Sequence, residues 1–274
     1  MIALRSRIEI LSMRKAGFIV WKALQLVKSI IRPGLTTKEI DQAVEDFFKQ
    51  CGAQPLFKGV PGKVPFPAVT CISVNEEVVH GIPGDRRIED GDIVSVDTGC
   101  RIDGWCGDAA VTIPVGRPRA EVLKLVDVTR QTLDLAIDLI AKRRLWSEVA
   151  AEMQRHVEKH GFSVVEAFVG HGIGRSMHEE PQVPNFVNDF FLKKGDFPLQ
   201  PGLVIAIEPM VNLGSKRVRL CRDHWTQVTA DGKPSAHFEH TVAVTDLGTY
   251  VLTGPLGPMD EKFGFDPKRF GVSV

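Results

Sequence analysis

An α+β fold in two related halves, with antiparallel strands covered by helices, is predicted by three features of this 274-residue sequence. The first is an internal repeat. Glu39, Ile40, Val44, Phe48 and Gly52 recur 109 residues on as Glu148, Val149, Met153, Val157 and Gly161. Gly91-Asp-Ile-Val-Ser-Val-Asp97 recurs after 111 residues as Gly202-Leu-Val-Ile-Ala-Ile-Glu208. Two matches at nearly one offset mark a duplicated helix-then-strand unit. The second feature is the alternation of helical and strand periods within each copy. The third is a hairpin centred on Asp103-Gly104, a dipeptide suited to a two-residue turn. The halves run from about 9 to 115 and from about 119 to 253, as one domain of 1–253 followed by a tail of 254–274.

The elements follow in chain order. Residues 9–31 carry apolar side chains at helical spacing and stop at Pro33-Gly34. Lys22, Gln25 and Lys28 interrupt the apolar run, which makes it an amphipathic helix and excludes a signal sequence or membrane span. Thr36-Thr-Lys-Glu39 is a capping-box pattern that opens a second helix ending at Cys51-Gly52. Residues 53–67 are rich in Gly and Pro and predict a loop, and Val69–Val74 predicts a strand. The hairpin comes next, then helices over about 119–142 and 146–160. A short strand is expected near Val164, and Gly170–Pro181 and 185–201 are expected to be irregular. Later strands are expected at Leu203–Ile207, around Val218, at Trp225–Thr229 and, unbroken, over Ala236–Thr245.

Composition narrows the function. Basic and acidic side chains number 34 each, so no global charge grips nucleic acid or an anionic membrane. The five cysteines are scattered without a Cys-x-x-Cys pair, against both a structural zinc site and a disulfide framework. A cytoplasmic protein is expected.

The hairpin carries the chemistry. With Asp103-Gly104 as its loop, Asp108 lies opposite Gly99, and Asp97 and Asp108 become diagonal neighbours on one face, roughly 7–8 Å apart. Two carboxylates that close, beside a core, repel each other and lose hydration, so a positive partner belongs between them. The repeat brings Glu208 to the same centre from the other half. Glu239 is an acid in an otherwise apolar strand, and His171 and His178 sit in the Gly-rich stretch Gly170–Pro181. Four carboxylates and an imidazole form an oxygen-rich donor set that suits Mn, Fe, Co or Zn in a two-metal arrangement. Paired metals lower the pKa of a bridging water and polarise a carbonyl, which points to hydrolysis of an amide or ester. His156 and His160, four apart on a helix, are expected at the surface; His237 shares a strand face with Glu239; His224 and His240 receive no role.

These residues carry a resemblance. Asp97 and Asp108, Gly170-His-Gly-Ile-Gly, His178-Glu-Glu-Pro, Ile207-Glu-Pro-Met and Phe238-Glu-His-Thr, in this order and spacing over residues 9–253, resemble the type I methionine aminopeptidases. The resemblance implies the pita-bread fold and a metallo-exopeptidase that removes the initiator methionine of nascent proteins, preferring a small second residue. It implies two divalent metal ions, with Asp97 on one, His171 and Glu208 on the other, and Asp108 and Glu239 bridging both. Glu208 would also carry a proton, His178 would hold the substrate carbonyl, and His80 would contact the scissile amide. Phe66, Cys71 and Trp225 would wall the methionine pocket. Nascent N-terminal peptides are the implied partners, contact with a ribosome is left open, and a monomer is expected. Relatives of this type usually carry a tyrosine where Gly59-Val60 stands here and an aromatic where Met177 stands. Two alternatives share the fold: an Xaa-Pro aminopeptidase or prolidase, which generally has an additional N-terminal domain, and a binding protein that has lost its metals, which would lack several of the ligand residues kept here.

Overall fold

A computed structural model describes residues 2–271. Helices α1 (Arg7–Ile30) and α2 (Thr37–Gln50) open the first half, and α3 (Ala120–Ile140) and α4 (Trp146–Lys159) open the second. Both helices of the first pair begin in a capping box: Ser6 with Glu9, and Thr36 with Glu39. Each pairs a side-chain oxygen with an orphan backbone N–H at the start of the helix. All strand pairings among the described residues are antiparallel. Strands Ile93–Ile102 and Trp105–Pro114 form the long hairpin, flanked by Thr70–Val74. Asp103 (φ 50°) and Gly104 (φ 77°) both take the left-handed conformation that such a tight turn demands. The register follows, with Gly99 opposite Asp108 and Asp97 opposite Ala110.

In the second half, His240–Thr245 pairs with Val204–Ile207, which pairs in turn with the short strand Gly170–Gly172. Ser235–His237 pairs instead with Met210–Asn212. The expected unbroken strand over Ala236–Thr245 is therefore two strands, interrupted at Phe238-Glu239. The partner chain is interrupted at the matching place, Glu208-Pro209. Residues 206–207 and 240–241 belong to one sheet, and 210–212 and 235–237 to another. Both glutamates thus sit where a strand leaves one sheet for the next.

The hairpin is stitched to this junction. Glu239 N–H donates to Ala110 O at 2.9 Å, and Thr241 Oγ1 donates to Asp108 O at 2.8 Å. Thr112 Oγ1 donates to His237 O and accepts from His237 N–H, both at 2.8 Å. One contiguous core, including Phe18, Val44, Phe48, Val96, Trp146 and Ile205, lies between helices and strands.

After Gly254 the chain lies back on α1. Arg14, fully buried, donates to Leu252 O, Gly254 O and the Asp260 carboxylate, and Tyr250 OH also donates to Asp260. Asp260 belongs to a short helix, α5 (Pro258–Phe263), and Phe265 packs edge-on to Phe18 with ring centroids 6.0 Å apart. Residues 272–274 of the expected tail lie outside the described residues.

Candidate metal centre and active site

The two halves present their acids to one cavity. Its wall includes Asp97, Asp108, His171, Glu208 and Glu239, together with His80 and His178. One ligand atom each from Asp108, His171 and Glu239 lies within 4.8 Å of the other two. His171 Nε2 stands 3.6 Å from Glu208 Oε1. The hairpin register brings Asp97 against Asp108, as the turn required.

His171 was expected in a loop, yet Gly170–Gly172 is a strand inserted between Val204–Ile207 and Glu179–Val183. The flanking glycines make this packing feasible. A Cβ on Gly170 would stand 2.3 Å from Ala206 O, and one on Gly172 2.1 Å from Glu180 O. Glycines that read as a loop signal are here the means of close strand approach. His171 Nδ1 donates to Gly172 O at 2.9 Å, which leaves the Nε2 lone pair facing the carboxylates.

The buried carboxylates of the cluster repel one another. Burial, reinforced by Asp108 and Glu208, pushes Asp97 well above the ordinary carboxylate range. Burial pushes Asp108 up to about 7. Glu208 and Glu239 rise for the same first reason, with Asp108 as a further cause. Desolvation lowers His171 and His80 to about 4, helped by His178. The buried oxygens Asp97 Oδ1, Asp108 Oδ1 and Glu239 Oε1 have no hydrogen-bond partner. Buried, unpartnered carboxylate oxygens converging beside a neutral imidazole fit a divalent cation, which would both satisfy them and offset their repulsion.

Beside the acids the cavity turns apolar. Phe66, Cys71 and Trp225, expected as pocket wall, line it, joined by Phe57, Val60 and Met177. Phe66 and Trp225 meet edge to face with centroids 5.2 Å apart. Phe57 was missed because residues 53–67 read as a Gly/Pro loop. Its signal was an aromatic within that loop, which is costly to leave in water. His237 is 2% exposed, and its Nε2 stands 3.9 Å from Glu208 Oε2 without a hydrogen-bond partner. His80 takes φ 59° and stacks edge-on to Phe168, a neighbour not anticipated. His156 and His160 lie together on and just after α4, outside this cluster, and His240 bonds Thr253.

Metallopeptidase family M24 matches residues 12–246. A methionine aminopeptidase of Clostridium perfringens is 48% identical over 254 residues, 92% of this chain and 99% of that protein. The chain belongs to metallopeptidase family M24, in its methionine aminopeptidase branch. Methionine aminopeptidase 1 of Bacillus subtilis is 46% identical over 253 residues, again 92% of this chain and 99% of the relative. The crystal structure of a Thermotoga maritima methionine aminopeptidase superimposes with a TM-score of 0.88 at 43% identity, covering 93% of this chain and all of that one. A prolidase of Pyrococcus furiosus, at 23% identity and a TM-score of 0.72, shares the fold. The family's pita-bread fold is thus the fold of this chain. No helix of the described residues is long and apolar enough to cross a membrane.

Proposed function

We propose that the chain removes the N-terminal methionine from nascent polypeptides, preferring a small second residue, with two divalent metal ions bound per chain. The observation that carries this reading is the joining, in one cavity, of an acid-and-imidazole cluster to an apolar slot lined by Phe57, Phe66, Cys71 and Trp225. Asp97 would hold one ion, His171 and Glu208 the other, and Asp108 and Glu239 both. Bound there, the ions would activate a water and polarise the scissile carbonyl.

The chain's own residues do the rest. Phe57, Phe66, Cys71 and Trp225 bury the methionine side chain against apolar and aromatic walls, where a flexible thioether packs well. In this reading the substrate's free amine lies near the acids Asp97 and Glu208, which line the same cavity as the apolar slot. His178 donates a hydrogen bond to the carbonyl oxygen as charge develops on it. His80, across the cavity beside Phe168 and Trp225, contacts the scissile amide. Glu208 carries the proton from the attacking water towards the departing amine. The ligand set is compatible with Co, Mn, Fe or Zn. In this reading the protein acts in the cytoplasm on chains emerging from synthesis, the location that goes with its substrate class, and works as a monomer.

The test pairs metal analysis of the purified protein with turnover of Met-Gly-Met and Ala-Pro-Phe. Two equivalents of metal at saturation and cleavage of Met-Gly-Met alone support the reading. Cleavage of Ala-Pro-Phe alone would assign an Xaa-Pro aminopeptidase, and absence of both metal and turnover a binding protein.

A further inference from the structure

His178 sits at the end of a turn whose backbone is gathered largely from outside the cavity. The turn residues Gly174, Arg175 and Ser176 precede it, and the strand Glu179–Val183 follows. Gly174 N–H donates to Ser176 O at 3.1 Å. The next anchor is a side chain: Glu179 Oε1 accepts from Arg175 N–H at 2.9 Å and Ser176 N–H at 3.1 Å. A single carboxylate gathers the backbone of the turn, immediately beside the catalytic histidine.

The other oxygen of that carboxylate is taken by Arg5, whose Nη2 donates to Glu179 Oε2. The two side chains are 12% and 20% exposed, so the pair is largely withdrawn from water. Arg5 lies 174 positions from Glu179, in the arm before α1 and outside the stretch that the family match covers. The arm is fixed from both ends. Arg5 N–H donates to Gly202 O at 2.6 Å, and Ser6 next to it caps α1. Gly174 shows how closely the arm rides on the turn, because a Cβ there would stand 2.2 Å from Arg5 Nη2.

The same cluster reaches the hairpin that bears Asp97 and Asp108. Trp105, 4% exposed, carries the Arg175 guanidinium 3.9 Å from its ring centroid and that of Arg5 at 5.5 Å. Cys106 N–H donates to Gly174 O at 2.8 Å. Arg5 therefore closes a circuit between the arm, the turn before His178 and the strand two residues from Asp108.

We propose that Arg5 is a positioning residue for His178, acting through the Glu179 carboxylate that gathers the 174–176 turn. The inference rests on the reading of His178 as a substrate-contacting residue. Arg5 touches neither substrate nor metal. It matters because a hydrogen bond that must meet the carbonyl in the transition state tolerates little displacement; a shift of about 1 Å can cost up to ~10²-fold.

The experiment measures kcat, KM and bound metal for Arg5→Ala, Arg5→Lys and Glu179→Gln, each also in a His178→Ala background, with amide hydrogen exchange at Arg175 and Ser176. Arg5→Ala is expected to lower kcat on the order of tenfold, with KM and metal content nearly unchanged, and to speed exchange of both amides. Arg5→Lys should restore most of kcat. Glu179→Gln, which keeps an acceptor for the turn but loses the ion pair, should reproduce the effect if Arg5→Ala folds poorly. In the His178→Ala background Arg5→Ala should cost nothing further. An equal loss in both backgrounds, or unchanged amide exchange, overturns the proposal. Failure of the underlying reading looks different: His178→Ala would itself leave kcat intact.

Discussion

The carboxylate floor of the cavity and its apolar rim are held by different kinds of structure. Asp97 and Asp108 stand on two ten-residue strands paired along their whole length. Glu239 is bonded through its own backbone to Ala110 of that hairpin. The two hairpin acids are thus fixed by a backbone ladder, and Glu239, at a strand interruption of the other half, is bonded directly to that ladder. The rim is a loop closed on itself and tied to one side chain. Gly59 N–H donates to Phe66 O at 2.8 Å, Phe66 N–H to Val60 O at 3.0 Å, and Trp225 Nε1 to Val64 O at 2.8 Å. Gly62 lies under the Trp225 ring, where a Cβ would stand 2.5 Å from Cζ2. Ladders place charges to within fractions of an ångström and leave little freedom to vary. A loop pinned by an indole can change its lining residues while the floor stays put. Chemistry and selectivity are therefore separable here, and substitutions in each region should fail differently.

The largest expected effect comes from the floor. Asp108→Asn or Asp97→Asn should lower turnover roughly a thousandfold or more, because bound metal supplies the activated water, while circular dichroism shows a folded chain. The neutral amide relieves part of the buried repulsion, so thermal stability of the metal-free variant should hold or rise. Near-normal turnover at saturating Mn or Co would remove these residues from the ligand set.

His178 lines the cavity beside His171 and His80 beside Trp225, and on the proposed reading both act on substrate rather than metal. Alanine at either should cut kcat on the order of 10²-fold with metal stoichiometry intact by elemental analysis. Loss of metal in His178→Ala would move it into the floor; its ring lies 4.4 Å, centroid to centroid, from that of His171.

Metal removal should affect stability as well as activity. A ligand that binds only the folded chain contributes about 2.7 kcal/mol at a hundredfold excess over its Kd, which for a chain of this size shifts Tm by roughly 5–10 °C. Calorimetry with and without chelator measures it. A Tm independent of metal would show that the acids are satisfied some other way.

How much of this was legible in the sequence follows the same division. The Asp97–Asp108 register was readable because Asp103-Gly104 permits one tight turn and the pairing then propagates residue by residue. The acid of the second half was readable through the repeat. The strand end at Ile207 was readable before Pro209, but the strand Met210–Asn212 beyond it was not, nor was the interruption at Phe238-Glu239, where the apolar alternation continues on both sides of the acid. Which sheet a strand joins is decided by partners distant in sequence. The strand at His171 was hidden by its glycines, whose local preference for turns is overridden by close packing against Ala206 and Glu180. Phe57 and the course of the 59–66 loop depend on Trp225, over 150 residues away, and no local pattern announces that contact.

The smallest effect belongs to the rim and is the sharpest test of its independence. Val60, where the resemblance leads one to expect a tyrosine, packs with Phe57, Phe66, Cys71, Met177 and Trp225 around the slot. A valine presents less surface to the end of a bound side chain and does not impose an aromatic face on it. Changing the shape of an apolar pocket by about one methylene is worth roughly 1–3 kcal/mol, or 10–200-fold in discrimination. Methionine should still be preferred, since the other aromatic walls remain, but norleucine, and more weakly leucine, should be cut better than by enzymes carrying the tyrosine. Val60→Tyr should restore discrimination towards the lower end of that range, about tenfold, through KM and kcat/KM for Met-, norleucine- and Leu-Gly-Met, and leave bound metal unchanged. A change in metal content would show that rim and floor are coupled through the loop. Unchanged discrimination would mean that Val60, although it lines the cavity, does not meet the substrate side chain.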